Sequence, residues 1–370
     1  ANHRLEAGAQ RLRCDSPAST SSASSSATAV PSSCGSPFSA RSPLPVGLLF
    51  PNQMPGLQRS LAHAVDDPRM QALIRRSVDV LDYDLEQLFA SGPASKLDTT
   101  RYSQPAVYVA SVAATERLRE ERPEVLERCQ AVAGVGVGEL AALHAAGVFD
   151  FEVGLRLVCR RAEEMHRAAL SAGEQQQVSL VGVELERARA LCEEAQRGCA
   201  AARAGGSDEV LSVACAVAPK AQICAGTKAA AQHLLALGRG PSSVEWRASF
   251  VDTPPALGFG AFNTSLMQTA QRNLRAALVE ALPHMRPPRC AVYFNVMGEA
   301  LPAGAEPSLV VELLAAELTS TMLWEQTVRT MLREGLEELI VCGPSPACRL
   351  VEVIHKISSE AGRRTTSCTI

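Results

Sequence analysis

The stretch Ala133–Leu140, AGVGVGEL, constrains this chain more than any other. A short apolar run ends in three glycines at alternate positions and passes directly into helix-forming residues. That order reads as strand, tight turn and helix, the unit from which parallel α/β sheets are built. A dinucleotide-binding turn would need glycine at 139 as well. Glu139 stands there, and its carboxylate would repel a pyrophosphate at the helix N-terminus. Gly134 and Gly138 instead flank a central residue as in a Gly-x-Ser-x-Gly nucleophile elbow, with Gly136 where the serine would be.

The flanks extend the same pattern. Strands are predicted at Val46–Phe50, Ala131–Val135, Cys290–Asn295 and Glu338–Cys342. Helices are predicted at Gln104–Arg119, Glu139–Ala146, from Asp150 to Ala169, and at Asn263–Leu282, Pro307–Leu318, from Trp324, and Pro346–Ser358. Strands alternating with helices imply an α/β fold whose mainly parallel sheet is covered by helices on both faces. The middle differs: strands at Val178–Val183, Val210–Val217, Gln222–Ala225 and Ser243–Phe250 alternate with helices at Leu185–Gln196 and Lys228–Leu237. The expected organisation is a large domain over 46–176 and 251–360, a small inserted ferredoxin-like α+β domain over 177–250, and a C-terminal tail over 361–370.

Residues 1–45 are of another kind. Twelve of them are serine, Arg4, Arg11, Arg13 and Arg41 are basic, and the acids are Glu6 and Asp15. Such a segment buries too little apolar surface to offset its ordering entropy. It reads either as a plain low-complexity tail or as an organellar transit segment. In the whole chain, 46% of residues are hydrophobic and 20% charged, enough apolar surface for a sizeable core. The net charge of -3 gives no general attraction to nucleic acid. Arg187, Arg189 and Arg197 read as a solvated helix face, so RNA contact is not indicated. No apolar run is long enough to span a membrane. The twelve cysteines include no Cys-x-x-Cys pair and the seven histidines lack metal-ligand spacing, so no metal and no cofactor is expected.

Seven segments, in order, resemble the malonyl-CoA:acyl carrier protein transacylase family. LLFPNQMPG (Leu48–Gly56) is similar to its opening Phe-Pro-Gly-Gln-Gly, and QPAVYVASVA (Gln104–Ala113) to its Gln-Pro-Ala helix. AGVGVGEL resembles its Ala-Gly-His-Ser-Leu-Gly-Glu elbow, and Ala146–Met165 the helix that follows. AFNTSLM (Ala261–Met267), VYFNV (Val292–Val296) and VCGPSP (Val341–Pro346) resemble its Phe-His-Ser/Thr, Ser-Asn-Val and Glu-Val-Gly-Pro-Gly segments. The resemblance implies an acyltransferase, α/β-hydrolase-like large domain. It also implies ping-pong acyl transfer, in which a serine takes malonyl from coenzyme A, a histidine accepts its proton, and the carrier thiol removes the group.

The departures fall on that chemistry. The resemblance puts Gly136 at the serine position, Val135 at the elbow histidine and Asn263 at the catalytic histidine. Glycine offers no nucleophile, and asparagine is no general base near neutral pH. Glycine does adopt the strained elbow conformation at least steric cost. Ligand-holding positions are retained: Arg161 where the family pairs with the malonyl carboxylate, and Gln53 beside the oxyanion pocket. The plainer reading of Arg161 is a helix-surface residue next to Arg160. Asn52, Met54 and Pro55 alter the turn around Gln53, Glu317 replaces a pocket glutamine, and Ser345 replaces a late glycine.

The expectation is therefore a catalytically inactive homologue, not an enzyme. It would serve as a structural or assembly subunit, among other protein subunits, of a larger complex in the mitochondrial matrix, such as the ribosome or its assembly intermediate. Two alternatives stand beside it: a non-catalytic module binding acyl carrier protein or an acyl-CoA through Gln53 and Arg161, and an active malonyl transferase of fatty acid synthesis.

Overall fold

Val46–Phe50 (β1) is buried at every residue, which a strand achieves only with covered neighbours on both sides and both faces. The computed structural model describes residues 45–53, 57–202, 209–240, 248–253, 260–345 and 348–370. The remaining strands are β2 (Cys129–Gly134), β3 (Gln175–Val181), β4 (Leu211–Ala218), β5 (Ala221–Thr227), β6 (Ser249–Thr253), β7 (Ala291–Phe294), β8 (Glu299–Leu301), β9 (Glu338–Gly343) and β10 (Thr365–Thr369).

Six strands form one sheet in the order β10-β9-β1-β2-β7-β8. All neighbours are parallel except β7 and β8. Register aligns Leu49 with Ala133 and Phe50 with Gly134, so β1 and β2 end together at the turn that follows. One face is closed by the helices Trp324–Arg333 and Cys348–Ile357. Trp324, Val328, Met331 and Ile354 pack there with Leu49, Ala133, Leu339 and Val341. The helix Thr100–Glu121, buried along most of its length, runs against β9 on the opposite face and also packs on the helix Phe151–Ser171. The α/β class with a mainly parallel, doubly covered sheet is thus observed.

Four strands form a second sheet, β4-β5-β3-β6, antiparallel throughout. The helices Leu185–Ala202 and Lys228–Leu237 supply Leu191, Cys192 and Leu234, which pack with Val178, Leu180, Val213 and Cys224. Cys215 and Ala218 of this sheet join the Trp324 cluster, and the Ala216 N–H donates to the Met322 carbonyl at 2.8 Å. The two sheets therefore share apolar core rather than meeting through a linker.

Three expectations need correction. Residues 361–370 are not a tail: the helix Ser359–Arg364 leads into β10, which pairs with β9 from Thr365 to Thr369. The helix expected from Asn263 begins later. Asn263 itself is left-handed at φ 60°, Thr264 caps a short 3-10 turn, and the α-helix runs over Gln268–Ala281. The segment between β1 and residue 100, given no element from sequence, holds four short helices. Asp67 and Asp84 start two of them by accepting from Arg69 N and Gln87 N, both at 2.8 Å. Residues 1–44, 54–56, 243–247 and Pro346, which carried expectations above, lie outside the described residues. Of the strand expected at Ser243–Phe250, the described part begins at Ser249 and runs to Thr253.

Candidate active site

Gln53 and Gly136 follow the ends of β1 and β2, and polar contacts join Arg161, Glu317 and Asn263 to Gln53. The elbow follows β2, and Val135 N donates to the Phe50 carbonyl at 2.9 Å, tying the turn to β1. The helix Gly138–Ala145 begins so close to the strand that side chains are excluded. A Cβ on Gly134 would sit 2.1 Å from the Gly138 oxygen, and one on Gly138 would sit 2.3 Å from the Phe50 oxygen. Between them Gly136 is left-handed at φ 56°, the conformation an elbow imposes on its central residue. The space a side chain at 136 would need is occupied: a Cβ there would lie 2.6 Å from Asn52 Oδ1. Asn52 Oδ1 in turn accepts from the Gln53 N–H at 2.8 Å.

From Gln53 a continuous buried chain of polar contacts crosses the site. Thr100 Oγ1 and Ser103 Oγ donate to Gln53 Oε1 at 2.9 and 3.0 Å. Gln104 Nε2 donates to Thr100 Oγ1 at 2.7 Å, and Gln104 Oε1 accepts from Arg161 at 2.7 Å. The other terminal nitrogen of Arg161 donates to Glu317 Oε2 at 3.2 Å. Asn263 Nδ2 closes the series by donating to the Glu317 carbonyl at 2.7 Å. Gln53, Arg161 and Asn263 are thus connected, and Gly136 lies beneath Asn52 at one end. Arg161 is 3% exposed and is no surface residue. It falls on the buried stripe Gly154, Val158, Arg161, Met165 at helical spacing, whereas neighbouring Arg160 is half exposed and pairs with Glu164.

A second layer supports the turn from behind. Glu139 Oε1 accepts from the Asn295 backbone N–H at 2.8 Å and from its Nδ2 at 2.7 Å. Asn295 Nδ2 also donates to the Gly134 carbonyl at 2.6 Å, and its Oδ1 accepts from Thr327 at 3.2 Å. Both acids are fully buried. Burial pushes Glu139 well above the ordinary glutamate range, and the Glu317 charge adds to it. Burial also raises Glu317, against the pull of Arg161. One guanidinium thus lies near two carboxyl groups and contacts only Glu317, and burial shifts Glu139 toward its neutral form. Among the described residues Arg161 Nε, Glu317 Oε1 and Glu139 Oε2 have no hydrogen-bond partner. A buried guanidinium with a spare N–H has a donor left for a carboxylate, in competition with Glu317.

Sequence reasoning gave no role to Thr100, Ser103, Gln104, Glu139 or Asn295. Gln104, Glu139 and Asn295 stand inside quoted motifs, and a lone acid opening the apolar run Leu140–Leu143 was a usable signal of buried polar work. Val135 is partly buried on the turn and Ser345 is exposed.

An acyl transferase domain model matches residues 61–341 of the chain. The mitochondrial malonyl-CoA-acyl carrier protein transacylase of Mus musculus is 34% identical over 297 residues, covering 78% of this chain and 73% of the relative. The crystal structure of an acyl carrier protein S-malonyltransferase from Vibrio cholerae, 26% identical, superposes with a TM-score of 0.73 over 88% of this chain and 96% of its own. A malonyl-transacylase in complex with its type II polyketide synthase acyl-carrier protein, 24% identical, shares the fold at TM-score 0.71, with 88% and 96% covered.

These likenesses overturn the expectation of a non-enzymatic structural subunit of a mitochondrial ribosome or other assembly. The relatives that share most of this chain's length are named as transacylases, which supports the malonyl-transferase alternative. The overturned expectation took the residues at 136 and 263 as decisive and assigned Arg161 and Gln53 only to a non-catalytic binding alternative. The chain belongs to the acyl transferase domain family, as a homologue of the malonyl-CoA-acyl carrier protein transacylases.

Proposed function

We propose that this protein is an S-malonyltransferase, moving malonyl between coenzyme A and the thiol of an acyl carrier protein in mitochondrial fatty acid synthesis. The observation that carries the reading is Arg161, a buried guanidinium with a spare N–H beneath an acyltransferase elbow. The names of the mitochondrial relatives supply the substrate, the compartment and the carrier. The Ser-rich, Arg-bearing leader 1–45 fits a matrix-targeting role. The four-stranded sheet, whose first strand begins at Gln175 and last ends at Thr253, supports a small domain inserted into a large one that runs on through β10 to Thr369.

We infer that Gly136 and Asn263 stand at the family's nucleophile and base positions and that Gln53 lies beside the thioester oxygen. Gly136 has no atom to acylate, so transfer runs directly between the two thiols. The carrier thiolate attacks the malonyl thioester carbonyl, its new C–S bond forms, and the C–S bond to coenzyme A breaks. The coenzyme A thiolate leaves and takes up the proton that the carrier thiol gave to solvent. A thiol of ordinary pKa is a few per cent ionised at pH 7, so no protein base is required. The protein's part is to hold the malonyl carboxylate on Arg161 and bring two reactants together, and well-oriented groups reach effective concentrations of about 10⁵ M or more.

The pH profile of transfer tests this. The rate rises about tenfold per pH unit up to the carrier thiol's pKa, near 8.5. A plateau reached below neutrality would point to a histidine-like base and contradict direct transfer. Absence of any transfer would contradict the function itself.

A further inference from the structure

Cys129 opens β2, and Cys290 immediately precedes β7, the strand beside it. A β-bulge decides how they face. β1 pairs Val46 with Cys129 and then Gly47 with Ala131, which leaves Gln130 as an extra residue. Side chains alternate along a strand, so the extra residue returns Cys129 to the face of Leu48 and Val132. Val132 is paired with Val292, and two residues back from Val292 puts Cys290 on that same face. Each thiol is near enough to be the main influence on the other's ionisation, and Cys129 Sγ donates to the Ala131 carbonyl at 3.5 Å. Both are partly exposed.

We propose that Cys129 and Cys290 are a redox modification site, closing reversibly to a disulfide when the chain meets a small-molecule disulfide such as oxidised glutathione. The Cys129 thiolate attacks one sulfur of glutathione disulfide, forming a mixed disulfide and expelling a glutathione thiolate. The Cys290 thiol then attacks the Cys129 sulfur, and the second glutathione leaves. Two protein thiols are oxidised, one disulfide is reduced, and both protons end on glutathione. The neighbouring Cys290 thiol holds the Cys129 thiol below the usual range, with the Arg289 charge acting in the same sense, which suits Cys129 to the first attack.

Two other thiol pairs sharpen the choice. Cys192 is likewise the main influence on Cys224, but the two are 2% and 0% exposed inside the second sheet's core. Cys342 and Cys368 stand directly across β9 and β10, but Cys342 is fully buried and burial pushes both thiols up. Each of these pairs has at least one buried member, whereas Cys129 and Cys290 are both partly exposed.

The test uses the full chain, equilibrated in glutathione buffers from reducing to oxidising, quenched in acid, alkylated and digested with trypsin. Cleavage after Arg128 and Arg289 releases residues 129–156 and 290–329, each with its cysteine first and no other cysteine. The expected result is a cross-linked pair of these peptides that grows with the oxidised fraction and disappears on adding dithiothreitol. In Cys290→Ser, Cys129 is expected to remain as its glutathione mixed disulfide. The proposal is overturned if wild-type Cys129 and Cys290 are both still alkylated in the most oxidising buffer. It is equally overturned if wild-type Cys129 stops at the glutathione adduct.

Discussion

The two buried polar layers around the elbow differ in how completely they are tied. Behind the turn, both polar atoms of the Asn295 side chain are bonded, to the Gly134 carbonyl at the end of β2 and to the Glu139 and Thr327 side chains. In front of it, Arg161 and Glu317 hold each other through one contact, and each keeps a spare atom. Buried polar groups left part-satisfied are costly, and a fold tolerates them where a ligand completes them. The rear layer, where Glu139 Oε2 is the atom left over, is scaffold; the front layer, whose spare atoms include a cationic donor, is where the proposed function puts the substrate carboxylate.

Replacement of Asn295 should show the largest effect. Asn295→Ala strips donors from Glu139 and from the Gly134 carbonyl, both buried, and should cost about 3 kcal/mol in a urea unfolding midpoint. A loss under about 1 kcal/mol would place the elbow's support elsewhere. The front layer should respond in the opposite way. Exchanging both charges, Arg161→Met with Glu317→Leu, should change stability by only about 1 kcal/mol, because a buried ion pair repays little more than its own desolvation. The same double change should abolish any preference for malonyl-CoA over acetyl-CoA. Removing only the competing acid, Glu317→Gln, should lower the KM for malonyl-CoA by roughly tenfold, since an added carboxylate then meets an unopposed guanidinium.

How far the sequence went follows the same division. The strand, glycine turn and helix were legible because glycine spacing and apolar runs are local properties, and Lys228–Leu237 coincides with its helix to the residue. Arg161 was legible only as a candidate: the family resemblance put it at the carboxylate-pairing position, but the adjacent Arg160 left a helix-surface reading open, and its burial shows only in the fold. Asn52 over Gly136 was not legible, because the contact joins the end of β1 to the elbow across more than eighty residues. The strand at Thr365–Thr369 escaped notice because its polar sequence TTSCT forms an edge strand, held by main-chain pairing rather than by apolar side chains. Inferring the function from two missing side chains failed because a site is read from its whole constellation, not from its nucleophile alone.

Two smaller effects refine the contrast. Gly136→Ala should destabilise the protein by about 1–2 kcal/mol, from left-handed strain and the clash with Asn52. Adding Asn52→Gly should recover the part due to the clash, and strict additivity of the two changes would show that Asn52 does not crowd residue 136. The last effect is a pH slope. Glu139 has a raised pKa when folded, so above the ordinary glutamate pKa the native state binds a proton that the unfolded chain has released. Stability therefore falls as pH rises through that window, and Glu139→Gln should flatten the slope. An unchanged slope in that variant would mean that Glu139 is not the group that keeps its proton.

The most direct measurement is acid-quenched transfer of radiolabelled malonyl from malonyl-CoA to holo acyl carrier protein, with label counted on both proteins. The account predicts label accumulating on the carrier, strongly reduced by Arg161→Ala, and none bound covalently to the wild-type chain at any time. Label on the chain ahead of the carrier, or none on the carrier beyond a protein-free control, would contradict it.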